Sequence, residues 1–212
     1  MAFENIFPAD IERRSMEIIE SEIGDMSAFS GHERLIVKRC IHTTADFDYK
    51  QNLRFSPDAS ELGISALKAG AVIVTDTQMA FSGISKPACK KLGCEVCCFM
   101  SDADVAEEAK KRGVTRAVVS VDKAAKQFKD RQLIYAVGNA PTALVRLYEL
   151  IKENRISPAL IVGVPVGFVN VVEAKELIMT AGVPYIVAAG RKGGSNVAAA
   201  ILNAMLYTLY ER

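Results

Sequence analysis

Short, continuous apolar runs, each followed by a longer helical segment, constrain this chain more than any other feature. From Ala71 onward the pattern repeats: strands are predicted at 71–75, 95–99, 133–137, 159–162 and 185–188, and helices at 85–92, 102–112, 115–128, 142–154, 171–181 and 195–210. Strands apolar on both faces, separated by helices that mostly run to ten or more residues, indicate a mostly parallel sheet with helices on both faces. Before the repeat, helices are predicted at 10–22, from Ser30 toward His42, and from Asp58 to Ala69. Ser30-Gly31-His32-Glu33 has the form of a capping box, and Gly70 suits the end of the third helix. No linker, low-complexity tract or internal repeat divides residues 1–212, so the expected fold class is a single α/β domain.

Composition narrows the function classes. The 26 Lys plus Arg nearly cancel the 25 Asp plus Glu, leaving a formal charge of +1, which argues against a sequence-independent nucleic-acid binder. No apolar run reaches membrane-spanning length, and Met1-Ala2-Phe3-Glu4-Asn5 lacks the basic and apolar regions of a signal peptide. A cytoplasmic protein with its five cysteines as thiols is the expectation. Cys94 and Cys97 have C-x-x-C spacing beside Cys98, but no second pair completes a zinc set, so buried thiols are expected and no metal site.

Ligands of parallel sheets bind beyond the carboxyl ends of the strands. Three such ends carry loops of Gly, Pro and small polar residues: Gly138-Asn139-Ala140-Pro141-Thr142-Ala143, Gly163-Val164-Pro165-Val166-Gly167-Phe168-Val169-Asn170, and Gly190-Arg191-Lys192-Gly193-Gly194-Ser195-Asn196. Each alone can be an ordinary turn with Asn139 or Thr142, Asn170 or Ser195 as the helix cap. Together they suggest a shared anion site, because small residues and open helix N-termini let backbone N–H groups approach a carboxylate. None has phosphate-loop or dinucleotide spacing. Asp76, after a fourth strand, is either a cap or a polar group facing the same cleft.

Only two histidines occur, His32 and His42, and imidazole is the side chain poised to move a proton near neutrality. His42 can be a hydrogen-bonded packing residue. Arg39, three residues earlier, shares its helix face and would put a carboxylate anchor beside a proton donor. Arg14 and Arg116 could supply further anchors.

These residues, in this order, resemble the precorrin-8X methylmutase family of corrin-ring biosynthesis, including its cobalt-precorrin-8 branch. The resemblance runs nearly end to end, through Glu12-Arg13-Arg14-Ser15, Ile41-His42-Thr43-Thr44, Thr75-Asp76 with Met79, Thr115-Arg116, the Gly138–Ala143 loop, Pro158-Ala159 leading into Gly163–Phe168, and Gly190-Arg191 with Gly193-Gly194-Ser195. It implies a cofactor-free isomerase moving a methyl group from C11 to C12 of the corrin ring. His42 would be the proton donor and acceptor, and Ser15 part of the substrate site. It also implies a homodimer that binds a tetrapyrrole substrate and holds its product tightly. Arg14, Arg39, Asp76, Arg116, Asn139, Pro141, Thr142, Gly167, Arg191, Gly193, Gly194 and Ser195 are the remaining substrate candidates. The run Thr43-Thr44-Ala45-Asp46-Phe47-Asp48 looks more like the cobalt branch. One departure is Glu173-Ala174-Lys175, where Glu-Ser-Lys is usual. A corrinoid carrier without chemistry is the alternative, and a nucleotide or phosphometabolite enzyme using the last loop a weaker one.

Overall fold

The chain threads six strands into one sheet in the order β1-β6-β5-β4-β2-β3, with β1 antiparallel to β6 and every other pairing parallel. The computed structural model describes residues 4 and 6–210; of the Met1–Asn5 segment that lacks signal-peptide character, residues 1–3 and 5 lie outside them. The strands are β1 (Leu53–Phe55), β2 (Val72–Thr75), β3 (Glu95–Cys97), β4 (Leu133–Val137), β5 (Leu160–Gly163) and β6 (Tyr185–Ala188). Helices α1 (Ile11–Ile23), α2 (Gly31–Thr44) and the single turn α3 (Tyr49–Asn52) precede the sheet. Then come α4 (Ala59–Lys68), α5 (Gln78–Gly83), α6 (Lys86–Leu92), α7 (Ala103–Arg112), α8 (Arg116–Gln127), α9 (Pro141–Lys152), α10 (Val171–Met179) and α11 (Ser195–Leu209).

Successive strand residues serve opposite cores, as the pleat requires. Ile73, Ile134, Ala136, Leu160, Val162 and Ile186 face the layer containing α2, α4 and α11. Val72, Val74, Tyr135, Val137, Ile161 and Val187 face the layer containing α8, α9 and α10. This double burial is why the central strands are apolar throughout.

The chain runs outward from β2 to β3 and then returns to place β4 on the other side of β2, continuing through β5 and β6. Strand order therefore reverses between β2 and β4, and the crevice there opens at their carboxyl ends.

Predicted and observed elements agree closely, with informative exceptions. The capping box forms in full: Ser30 N–H donates to Glu33 Oε2 at 2.7 Å and Glu33 N–H to Ser30 Oγ at 3.3 Å. Helix α9 begins at Pro141, one residue before the expected start, since proline needs no N–H partner in the first turn. Strand β3 stops at Cys97 rather than at residue 99. Strand β1 and the short helices α3 and α5 were not expected. The capping alternatives fail at the loops: α9 is preceded by Ala140, Asn170 has left-handed backbone without a side-chain cap bond, and Gly194 precedes Ser195. The loops thus do something other than cap their own helices. No helix among the described residues is long and apolar enough to cross a membrane.

Candidate active site

Four adjacent strand ends deliver the loops that the sequence singled out, and the loops touch one another through backbone. At the β2–β4 crevice Asp76 is neither a cap nor a free cleft group. Its buried carboxylate accepts the N–H groups of Gly138, Asn139 and Ala140 at 2.8, 2.8 and 2.6 Å. Burial pushes this carboxyl up from its ordinary value, a rise that the three N–H donors oppose without reversing. The geometry is that of an internal anion filling a loop nest. The helix cap of α5 is instead Thr77, whose Oγ1 accepts Ala80 N–H at 3.0 Å and meets Ser195 Oγ at 2.7 Å.

Two glycines are dictated by close approach. A Cβ on Gly138 would stand 2.7 Å from Ser195 Cα, and one on Gly193 only 2.1 Å from the Val164 carbonyl oxygen. Gly194, with φ of 136°, donates its N–H to that same oxygen at 2.8 Å. Gly167 N–H reaches the Arg191 carbonyl at 3.2 Å, while the Arg191 guanidinium lies 5.4 Å over the Phe168 ring. On the flank, Thr142 Oγ1 and Thr115 Oγ1 are 2.8 Å apart, and Arg116 reaches the Met100 carbonyl at 3.4 Å. The three loops expected to be adjacent are adjacent. Val166, Phe168 and Val169 leave apolar side chains exposed on the middle one, Phe168 at 82 %.

His42 lies in the last turn of α2, exposed. It does not pack into the core, so the bland reading of this residue is set aside. With Arg39 and Thr43 it borders a pocket of about 250 Å³ whose opposite wall is α11, through Asn196, Ala199, Ala200, Asn203 and Tyr207. Asn196 directly follows the Ser195 that meets Thr77, so the pocket is continuous in sequence with the strand-end loop. Among the described residues no hydrogen bond or ion pair occupies the His42 ring. Arg39 does sit beside it, but already donates to Glu12 at 2.6 Å and stacks 5.4 Å over Tyr207.

Other candidates are placed less centrally. Arg14 forms a two-toothed pair with Glu4 at 2.9 and 3.0 Å. The Ser15 hydroxyl donates to the Ile11 carbonyl of its own helix at 2.9 Å. Both lie on α1, which packs against α2. Among the described residues no three His, Cys, Asp or Glu side chains gather as a metal site would need. Asn203 and Tyr207 were not among the expected site residues, and Asn196 was expected only as the end of the last loop. Their signal was there: they recur seven and four residues apart, on one face of the largely apolar α11.

A doubly covered parallel sheet with backbone-braced loops at its strand ends and a pocket beside them places the chain among α/β proteins with a ligand cleft at the topological switch point. The sequence model described as precorrin-8X methylmutase matches residues 10–208. The cobalt-precorrin-8 methylmutase of Leptospira interrogans is 47% identical, covering 93% of this chain and 92% of its own. That of Salmonella typhimurium is 44% identical, covering 96% and 97%. The crystal structure of precorrin-8x methyl mutase from Thermus thermophilus superposes with a TM-score of 0.85 at 41% identity, over 93% of this chain and 96% of that one. The chain belongs to the precorrin-8X methylmutase family, methyl-shifting isomerases of cobalamin biosynthesis.

Proposed function

We propose that this enzyme moves the methyl group of precorrin-8 from C11 to C12, with His42 as the proton donor and acceptor. The observation that carries the reading is the exposed, unoccupied His42 ring bordering the pocket between α2 and α11. The reaction is an isomerisation: the methyl leaves one ring carbon for its neighbour as the conjugated double bonds shift, and no atom is gained or lost. A proton from the His42 imidazolium onto the ring system draws electron density toward the migration terminus. The same nitrogen takes a proton back as the product tautomer settles.

The pocket is smaller than a tetrapyrrole and would take only its reacting edge. The remaining apolar ring surface would lie along Val166, Phe168 and Val169, whose exposure suits such a partner. Acidic ring substituents would meet Arg39, Arg191 and Arg116, with Arg14 and Ser15 at the α1 side. Asn139, Pro141, Thr142, Gly167, Gly193, Gly194 and Ser195 would form the cradle. Asp76 would serve substrate through the loop it braces. The cobalt-containing substrate is favoured by the names of the relatives from Leptospira interrogans and Salmonella typhimurium. The five unpaired thiols suit a reducing cytosol. A homodimer is proposed on the family resemblance alone.

The test is a single-turnover assay of wild type and His42→Asn with cobalt-precorrin-8 and metal-free precorrin-8 side by side. The variant should lose about 10²–10⁴-fold in rate while still binding tetrapyrrole, and the cobalt substrate should react faster. Unimpaired turnover by His42→Asn removes the imidazole from the mechanism, and bound but unconverted substrate in wild type makes the protein a carrier.

A further inference from the structure

Lys175, on α10, is almost fully buried at 1% exposure. Its ammonium donates to two backbone carbonyls, Gly190 at 2.7 Å and Lys192 at 2.8 Å. Burial pushes the group down to about 8, the signature of a charge held against its solvation preference.

The two acceptors flank Arg191, whose own carbonyl takes the Gly167 N–H at 3.2 Å. Three successive carbonyls of the β6–α11 loop are therefore bound inward, and the Arg191 and Lys192 side chains are left to leave the loop on their own paths. Arg191 goes to the Phe168 ring. Lys192 goes to Asp46 Oδ2 and Asp48 Oδ2, each at 2.6 Å. Those carboxylates follow directly after the end of α2, where Ala45 adopts left-handed backbone and donates to the Ile41 carbonyl at 2.7 Å. His42 lies in that terminal turn. Asp46 is itself fixed, its Oδ1 accepting Asp48 N–H at 3.0 Å.

We propose that Lys175 is a positioning residue for the methyl shift: it clamps the 190–192 loop and, through the Lys192 tie to Asp46 and Asp48, fixes the end of α2 bearing His42 against the loop bearing Ser195. This rests on the reading of His42 as the acid. Without the clamp both halves of the site remain, but their separation is no longer set, and small misplacements of reacting groups cost large factors in rate.

The experiment compares Lys175→Met, Lys192→Met and Lys192→Arg in turnover of cobalt-precorrin-8 and in the proton NMR of the histidine rings. With two histidines in the chain, the assignment needs only one His32 variant. Lys175→Met should lower kcat about 10–100-fold, with a smaller change in KM, and shift the His42 ring resonance while leaving His32 unmoved. Lys192→Met should act in the same direction by about 3–10-fold, and Lys192→Arg, which keeps the cation between the two carboxylates, should restore most of it. If Lys175→Met does not fold, the Lys192 pair decides. Unchanged kcat and an unmoved His42 resonance in the folded variants overturn the proposal. Failure of the His42 reading looks different: His42→Asn would then turn over normally, whatever the lysine variants do.

Discussion

The strand-end loops and the His42 pocket are neighbours built on opposite terms. In the loops, buried polar groups are paired with one another: Asp76 with three N–H groups, Thr77 with Ser195, Lys175 with two carbonyls, Val164 with Gly194. In the pocket, the imidazole stands at the rim with no hydrogen bond or ion pair to its ring among the described residues. A buried polar group must find its partner within the fold, so the loops are saturated and stiff. A proton-transfer group must keep its nitrogen available, and a saturated site would have consumed it. Under the proposed function, the loops set placement and the His42 pocket carries the chemistry.

The comparison breaks most readily at Asp76. Asp76→Ala leaves the N–H groups of residues 138–140 without their acceptor, at about 1–3 kcal/mol for each buried donor. Since Asn139 is exposed and can recruit water, a loss of roughly 3–5 kcal/mol is expected in urea unfolding, with faster amide exchange at 138–140. A variant as stable as wild type would show that this loop is not braced by the carboxylate. His42→Asn should by contrast leave the unfolding midpoint within experimental scatter, since the ring is exposed and makes no hydrogen bond or ion pair among the described residues.

Lys175 tests the saturated side through pH. Its folded-state value of about 8 lies below the ordinary 10.5. Under pH 8 both folded and unfolded chains carry the proton, so pH has no leverage. Between those values the unfolded chain keeps the proton and the folded chain sheds it. Stability contributed by this group therefore rises with pH, by about 1.4 kcal/mol per unit and about 3 kcal/mol across the window. Buried thiols titrate in the same range with the opposite sign, because burial pushes Cys40 and Cys89 up. The quantity to measure is thus wild type minus Lys175→Met at each pH, in which the thiols cancel. It should climb from pH 8 to 10.5, and a flat difference would mean that the ammonium is better solvated than its burial implies.

What was legible in the sequence follows the same division. Strands β4 and β6 matched their predicted limits because continuous apolar runs bounded by turns have few other readings. Strand β1 escaped because Leu53-Arg54-Phe55 is three residues long with a charge at its centre, as an edge strand tolerates. The loops were recognisable from Gly and Pro, and the need for Gly193 follows from how closely its backbone approaches the Val164 carbonyl. Asp76 and Lys175 were not readable in their actual roles. Each reaches backbone supplied by other elements, Asp76 across 62–64 residues and Lys175 across 15 and 17. Spacing and periodicity report neighbours along an element and carry no signal for such bonds. At Glu173-Ala174-Lys175 the sequence departs from the family pattern at the serine position, whereas it is the lysine beside it that holds the loop carbonyls.

The two histidines supply the finest test, because neither is buried and only His42 borders the pocket. His32 Nδ1 lies 3.2 Å from Glu61 Oε1, with side-chain exposures of 43% and 46%. Solvent screens such a pair, which is worth under about 1 kcal/mol. His32→Ala should therefore shift stability by a few tenths of a kcal/mol at most and leave turnover of cobalt-precorrin-8 unchanged. Equal damage from His32→Ala and His42→Asn would mean that surface imidazoles matter here through bulk charge or α2 stability. Damage confined to His42 ties the effect to what surrounds that ring: Arg39 one turn back, Asn196 and Tyr207 across the pocket, and a loop held by Lys175.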